Sequence, residues 1–167
     1  MENFIIEQLD NLDKAILKML QTEGRISNVD LATRVNLSPP AVHARIKRLE
    51  QRGYIDKYVA LLNREQLGFD LLCFVSVTLQ RHAAETVEGF QTAVKNMPEV
   101  MDCYHITGEY DYLLKVVVRN RHDLEHFVLN RLTPIPGLAR IHTSVVLTDV
   151  KSSTVLPVEV EEVGKEG

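Results

Sequence analysis

The chain has little cysteine and no long hydrophobic run, and each of these absences excludes a class of protein. No stretch approaches the roughly 18 consecutive apolar residues that a membrane helix needs, so we expect no membrane span. The first residues, Met1 to Phe4, lack a basic segment followed by a long apolar one, so we expect no secretory signal. Cys73 and Cys103 lie in apolar runs and show no metal-ligand spacing. We therefore expect both to be buried, reduced thiols in a cytoplasmic protein.

The net charge of −4 at first argues against a nucleic-acid ligand. The charges are, however, unevenly distributed along the chain. Residues 25–57 hold seven basic and three acidic side chains, a net charge of +4, whereas the residues from Tyr58 onward hold ten basic and fifteen acidic ones. A basic module joined to an acidic one predicts that only the first module faces phosphate groups.

The first third of the chain has helical periodicity. Apolar residues at helical spacing over residues 12–20 predict a first helix, which Gly24 ends. Ser27 to Asp30 fits the S-x-x-D capping box and predicts the start of a second helix. Asn36 stands where that helix should end, because asparagine tolerates the left-handed conformation of a tight exit. Residues 54–62 are rich in aromatic and β-branched side chains and predict a strand.

The third predicted helix begins after Ser38, a favourable N-cap followed by two prolines, and extends to Arg52. Together with the second helix it predicts a helix-turn-helix. Val42, Ile46 and Leu49 form its buried stripe, while arginines and small alanines share another face that can approach a duplex closely. The alternative is a three-helix bundle with solvated charges. The predicted DNA contacts are Ser27, Asn28, Ser38, Pro40, Ala41, His43, Ala44, Arg45, Lys47, Arg48 and Arg52.

Among these residues, Arg45 and Arg48 are the first candidates for base or phosphate contact. We expect Arg45 to be exposed, so that Arg45→Ala weakens DNA binding and leaves thermal stability nearly unchanged.

After a polar join, the periodicity changes to alternating strands and helices. The predicted strands are 71–79, 100–110, 111–118 and 138–147, and the predicted helices are 82–97 and 123–132. The order βαββαβ is the ferredoxin-like arrangement of an α+β protein, with both helices on one face of the sheet. The other face is apolar and uncovered, so we expect it to pair with a second copy. The predicted domains are residues 1–60, a linker at 61–68, residues 69–154 and a flexible acidic tail at 155–167.

Four segments, taken in order, resemble the Lrp/AsnC family of feast/famine transcription regulators: LDKAILKMLQTEGRISNVDLA, LSPPAVHARIKRLEQRGYI, TGEYDYLLKVVV and IPGLARIHTSVVL. The resemblance extends from about Leu9 to Ser153. It implies a regulator of transcription with an N-terminal (winged) helix-turn-helix domain that binds double-stranded DNA. It also implies homodimers that assemble further, into octamers, and a small amino-acid effector, leucine or another, bound between dimers near the central hairpin.

The resemblance also implies which residues bind the effector. Two positions depart from the family pattern. Glu109 follows Gly108 where the leucine-responsive branch has aspartate, and Pro40 stands where other members often carry a hydroxyl residue. We expect Asp111, or failing that Glu109, to accept hydrogen bonds from the α-ammonium group. The implied effector residues are Ile106, Thr107, Gly108, Glu109, Asp111, Tyr112, Ile141 and Thr143.

Two other functions stay open on the sequence alone. One is a regulatory module that senses amino acids without DNA, against which the basic helix 38–52 argues. The other is a metal-dependent hydrolase, because residues 122–126 match the H-x-x-E-H zinc-peptidase pattern. A third metal ligand, a Ser/His/Asp order, a phosphate loop and a catalytic carboxylate pair are all missing. We therefore predict no enzyme, no catalytic residue, no metal site and no cofactor besides the effector.

Overall fold

The computed structural model describes residues 9–81 and 83–160. Their contacts divide the chain into two compact units. The first unit holds the described residues up to Leu61 and those from Lys151 onward, and the second unit holds Leu62–Val150. No helix in the described ranges is long and apolar enough to cross a membrane. Two expectations concern residues outside these ranges. They are the absence of a secretory signal at Met1 to Phe4 and the first residue of the helix predicted at 82–97.

Three helices of the first unit pack around one apolar core. They are α1 (Asn11–Thr22), α2 (Asn28–Val35) and α3 (Pro39–Gln51). The N-caps at Ser27 and Ser38 are those that the sequence predicts, and each accepts a hydrogen bond from a main-chain N–H three residues later. Asn36 ends α2 in the left-handed region, with φ of 54°, also as predicted. The buried core consists of Ile16, Leu17, Leu31, Ala32, Val35, Val42, Ile46 and Leu49.

The segment 54–62 was predicted as a strand, and that prediction was wrong. The structure gives this segment no strand pairing with any described residue. Its side chains are largely exposed, and Leu61 and Leu62 are each 73% exposed. Favourable residue types do not make a strand without a neighbouring chain to share the hydrogen-bond ladder.

The segment that follows the sheet returns to the first unit. The side-chain amide of Gln21 on α1 donates to the Leu156 carbonyl at 3.2 Å and accepts from the Leu156 N–H at 2.6 Å. Leu156 belongs to the segment 155–167, which the sequence predicts to be a flexible tail. Residues 161–167 lie outside the described ranges. The chain therefore crosses between the units twice, at 61–62 and at 150–151.

The second unit is a four-stranded sheet with two helical segments. Its elements are β1 (Leu71–Leu79), α4 (Ala84–Lys95), β2 (Val100–His105), β3 (Tyr112–Val118), α5 (Arg121–His126) and β4 (Leu138–Val145). The strand order is β2-β3-β1-β4, and every neighbouring pair is antiparallel. The predicted ferredoxin-like βαββαβ arrangement is confirmed. The sequence predicts longer strands on both sides of the β2–β3 hairpin, whereas residues 106–111 form its turn.

Both helical segments cover one face of the sheet. Phe90 from α4 and Phe127 after α5 pack against alternate residues of β1 and β3, such as Val75 and Leu114, and all four are buried. The sequence predicts one α-helix over 123–132, but α5 continues as a π-helical turn, Phe127–Leu132. There the Thr133 N–H donates to the carbonyl of Val128, five residues earlier, at 2.9 Å.

The opposite face of the sheet is only partly uncovered. Leu72 and Val117 are buried, whereas Phe74 is 37% and Tyr104 is 52% exposed. The predicted apolar, open face therefore exists over the middle of the sheet and β2. Cys103 on β2 is exposed, contrary to the prediction, because β2 is an edge strand with a neighbour on one side only.

Gly137, just before β4, provides a test of this packing. Its φ is 85°, and a Cβ atom added there would overlap the methyl group of Thr86 on α4. We expect Gly137→Ala to lower the free energy of unfolding by about 1–3 kcal/mol, through backbone strain and overpacking. Gly89→Ala on α4 is the matched control, because nothing lies within 4 Å of its added Cβ. Equal denaturation midpoints in urea for the two variants would contradict the described packing.

Candidate nucleic-acid interface and effector hairpin

One side of α3 is open to solvent. Pro40, His43, Ala44 and Lys47 are all exposed. They recur three and four residues apart, so they lie on one face of the helix. We call these four residues the exposed stripe. The buried residues of α3 lie on the other side, as the sequence predicts. A DNA duplex that meets α3 therefore meets the exposed stripe first.

The N-terminus of α2 lies beside the exposed stripe. The side-chain amide nitrogen of Asn28 is 3.4 Å from Nδ1 of His43. Ser27 accepts the Asp30 N–H at 3.1 Å, and its hydroxyl donates to the Asp30 carboxylate at 2.6 Å. Because main-chain N–H groups at a helix N-terminus suit an anion, this end of α2 can receive a DNA phosphate next to His43.

Arg45 and Arg48 reach α1 instead of extending into solvent. Nη1 of Arg45 donates to Asp10 at 2.6 Å and to Asp13 at 2.7 Å, and Nη2 of Arg48 donates to the other oxygen of Asp13 at 2.7 Å. We call these four residues the ion-pair cluster. Asp13 is 4% exposed and the Arg45 side chain only 23%. The expectation that Arg45 is exposed was wrong, because two carboxylates on the neighbouring helix bind it.

Asp10 belongs to the cluster and is also the N-cap of α1. Its Oδ1 accepts the Asp13 N–H at 2.7 Å while its Oδ2 accepts from Arg45. Partial burial acts to raise the pKa of Asp10. The hydrogen bonds from the Asp13 N–H and from Arg45, with the Arg45 and Arg48 charges, outweigh that effect and hold the pKa below its usual 3.8. Hydrogen bonds to the same two aspartates raise the pKa of Arg45.

The acidic half of the cluster was missed by sequence reasoning. Asp10 and Asp13 lie three residues apart at the start of α1, just as Arg45 and Arg48 lie three apart on α3. Two acidic and two basic side chains with matching helical spacing are a signal for pairing between helices. The remaining predicted contacts flank the exposed stripe. Ser38 caps α3, Ala41 is half-buried on its first turn, and Arg52 is exposed at its end.

The turn between β2 and β3 contains most of the predicted effector residues. The Ile106 N–H donates to the Asp111 carbonyl at 2.9 Å and closes the turn. Gly108 has a φ of 122°, a conformation that favours glycine. Glu109 is exposed, and its carboxylate accepts from Nη2 of Arg140 on β4 at 2.8 Å. The turn thus presents an accessible carboxylate and an accessible guanidinium side by side.

Asp111 has a structural role in the hairpin. Its carboxylate accepts the Leu79 N–H at 2.7 Å, and its own N–H donates to the Val77 carbonyl at 2.9 Å. Asp111 therefore fixes the end of β1 to the turn. The sequence makes Asp111 the first candidate for an α-ammonium contact, but in the structure Glu109 is the more exposed of the two acidic side chains.

Three of the predicted effector residues lie on β3 and β4, with side chains on the sheet face that the helical segments cover. Tyr112 is 2% exposed, and its hydroxyl accepts from the Gln91 amide at 3.2 Å. Ile141 packs against the same core. Thr143 borders a separate cleft of about 560 Å³ beside α5, together with Leu124. The structure therefore brings together residues 106–111 but does not place the side chains of these three residues with the turn.

The histidines of the H-x-x-E-H match, His122 and His126, are exposed on α5. Within residues 9–81 and 83–160, no group of three or more His, Cys, Asp or Glu side chains is arranged to hold a metal ion.

We predict that acid weakens the first unit through Asp10. A carboxyl group whose pKa is lowered by folding contributes stability that is fully present above its unfolded-state pKa, here 3.8, and is lost as the pH falls through the folded-state value. Asp10→Asn keeps the helix cap but removes the charge. We expect this variant to melt below wild type at pH 7, and to lose less stability than wild type between about pH 5 and pH 2. Parallel stability curves in circular dichroism would contradict the role of Asp10.

Comparison with protein families assigns both units. A family described as winged helix-turn-helix DNA-binding matches residues 9–56, and one described as the Lrp/AsnC ligand binding domain matches residues 72–156. The chain is 41% identical over 153 residues to the leucine-responsive regulatory protein of Escherichia coli (strain K12), covering 92% of this chain and 93% of that protein. Identity to the protein of the same name from Klebsiella pneumoniae is 40%, with the same coverage.

Solved structures agree with this assignment. A transcriptional regulator from Neisseria meningitidis in complex with L-Met has a TM-score of 0.87 and 39% identity, over 90% of this chain and 97% of that chain. Escherichia coli AsnC has a TM-score of 0.82 and 28% identity, over 89% of this chain and 98% of that chain. The folds of both units, the matched families and these relatives agree: the chain belongs to the Lrp/AsnC family and is a DNA-binding transcription regulator.

Proposed function

We propose that this protein recognises specific DNA sequences through the exposed stripe and the N-terminus of α2, and that a small amino acid modulates it through the second unit. In this proposal residues 1–60 are the DNA-binding domain, 61–68 a linker and 69–154 the domain for effector binding and oligomerisation. The protein acts in the cytoplasm and has no enzyme activity. The observation that carries the DNA-binding proposal is the exposed stripe on the second helix of the helix-turn-helix.

The side chains of the exposed stripe suit a major groove. Ala44 is small enough for α3 to approach the base edges closely. His43 can exchange hydrogen bonds with base edges, and Lys47 can donate to a phosphate or to guanine. Arg52, exposed near the end of α3, extends the positive surface toward the DNA backbone.

The charge of Lys47 provides the test of DNA recognition. Selection from a pool of randomised duplexes should yield a common sequence, and affinity for it should fall steeply as salt rises. Lys47→Gln should reduce the slope of log affinity against log salt by about 0.9, because one phosphate contact is lost. Lys95→Gln, an equal charge change on α4, is the control and should leave the slope unchanged. No common sequence, or an unchanged slope for Lys47→Gln, would contradict the proposal.

We propose that the open part of the sheet face pairs with a second copy of the chain. Phe74 at the centre of the sheet and Tyr104 on β2 present apolar surface there. Exposed apolar patches on a sheet face commonly mark an interface between protein chains. Homodimers formed in this way can assemble further, into octamers, through other surfaces of the second unit.

We propose a zwitterionic amino acid, methionine or leucine first, as the effector bound near residues 106–111 between dimers. The Neisseria regulator, and a feast or famine regulatory protein from M. tuberculosis with 31% identity and a TM-score of 0.80, were solved with L-methionine. Glu109 can accept the α-ammonium group, and Arg140 or the main-chain N–H groups around Gly108 can hold the α-carboxylate.

Titration calorimetry with L-methionine and L-leucine tests this site. Glu109→Gln should weaken binding about tenfold or more, because it removes a charge-assisted acceptor. Glu88→Gln, an exposed change on α4, is the control and should bind as wild type does. Asp111 is a poorer test, because its substitution also removes the acceptor of the Leu79 N–H. Undiminished binding by Glu109→Gln would place the effector elsewhere.

A further inference from the structure

We infer that Arg45 is a positioning residue for α3, the recognition helix, and not a DNA contact. With Asp10 and Asp13 it fixes α3 to α1. Other side chains, such as Lys47, then make the phosphate contacts. This inference rests on the proposed DNA-binding function. It reverses the sequence prediction, which makes Arg45 a first candidate for contact with DNA.

The geometry of Asp13 keeps Arg45 in place. The two carboxylate oxygens of Asp13 accept from different arginines, one from Arg45 and one from Arg48, each at 2.7 Å. With 4% of its surface exposed, Asp13 has little access to water that could replace either partner. If Arg45 left for a phosphate, Arg48 would still pair with Asp13, but the second carboxylate oxygen would lose its charge-assisted hydrogen bond with little water to replace it. The departure of Arg45 from Asp13 is therefore unfavourable.

The charges of the cluster also argue against phosphate contact at Arg45. Two aspartates and two arginines make the ion-pair cluster neutral as a whole. Asp10 and Asp13 lie outside the basic stretch 25–57, and residues 10–57 together hold nine basic and six acidic side chains, a net charge of +3. A phosphate that approached Arg45 would also approach the Asp10 carboxylate, which is 2.6 Å from the same guanidinium nitrogen. The negative charges of the phosphate and of the Asp10 carboxylate would then lie close together and repel each other.

What the cluster does for DNA binding follows from its place on α3. Arg45 and Arg48 lie three residues apart on one side of the helix and are both attached to Asp13. Two attachment points on one side resist rotation of α3 about its own axis. Rotation would turn the exposed stripe away from the duplex, so the cluster sets the direction in which His43 and Lys47 point.

The salt dependence of DNA affinity distinguishes a positioning residue from a phosphate contact. With the full-length protein and the selected duplex, Arg45→Gln should weaken binding about tenfold at every salt concentration while keeping the wild-type slope. Asp13→Asn should act in the same direction. The loss of affinity in the double variant should be smaller than the product of the two single losses, because both changes remove the Arg45–Asp13 contact. Glu23→Gln is the control: it breaks the exposed Glu23–Arg34 pair and should change neither affinity nor slope.

A decrease in slope of about 0.9 for Arg45→Gln, equal to that of Lys47→Gln, would make Arg45 a phosphate contact and overturn the inference. Unchanged affinity for Arg45→Gln would also overturn it.

If Arg45→Gln fails to fold, Asp10→Asn takes its place, because asparagine keeps the cap of α1. Asp10→Asn should weaken DNA binding and leave the slope of log affinity against log salt unchanged. Tighter binding would mean that Arg45 contacts DNA once Asp10 no longer binds it, and would also overturn the inference. Absence of DNA binding by the wild-type protein would overturn the proposed function itself.

Discussion

The attachment of two arginines to one buried aspartate determines how the first unit presents its DNA-binding surface. Asp13 is the only buried charged residue in the described part of the chain, and it joins the start of α1 to α3, 32 and 35 residues later. The apolar core gives the three helices their stability, but apolar contact is not directional. The ion pairs supply the direction. They set which side of α3 is free, and therefore which side chains are left to meet DNA.

The second unit is organised around a different contact. Asp111 accepts the Leu79 N–H and so attaches the central hairpin to the end of β1. The turn that Asp111 holds in this way presents Glu109 beside Arg140. Tyr112, the next residue after Asp111, instead packs against Phe90 on the side of the helices. The hairpin is thereby attached to β1 and presents the exposed carboxylate of Glu109. Such a carboxylate can respond to a ligand without disturbing the sheet that carries it.

Features that depend on neighbouring residues in the sequence were predictable. The caps at Ser27 and Ser38, the left-handed Asn36 and the βαββαβ order follow from local chemistry and from periodicity. Features that depend on distant residues were not. A strand at 54–62 requires a partner strand. The exposure of Cys103 depends on the position of β2 at the edge of the sheet. The ion pairs of Arg45 require α1 to lie beside α3. The effector site proposed between dimers likewise depends on contacts with a second copy of the chain, which local sequence patterns do not predict.

Chemical footprinting of the full-length protein shows directly whether Arg45 is held on α1 or contacts DNA. Acetylation of lysines and dicarbonyl modification of arginines, read by mass spectrometry, report which side chains are accessible with and without the selected duplex. We expect DNA to protect Lys47 strongly. We expect Arg45 to react slowly in both states, because Asp10 and Asp13 already bind its guanidinium. Rapid modification of Arg45 in the free protein, followed by full protection on DNA, would contradict this expectation.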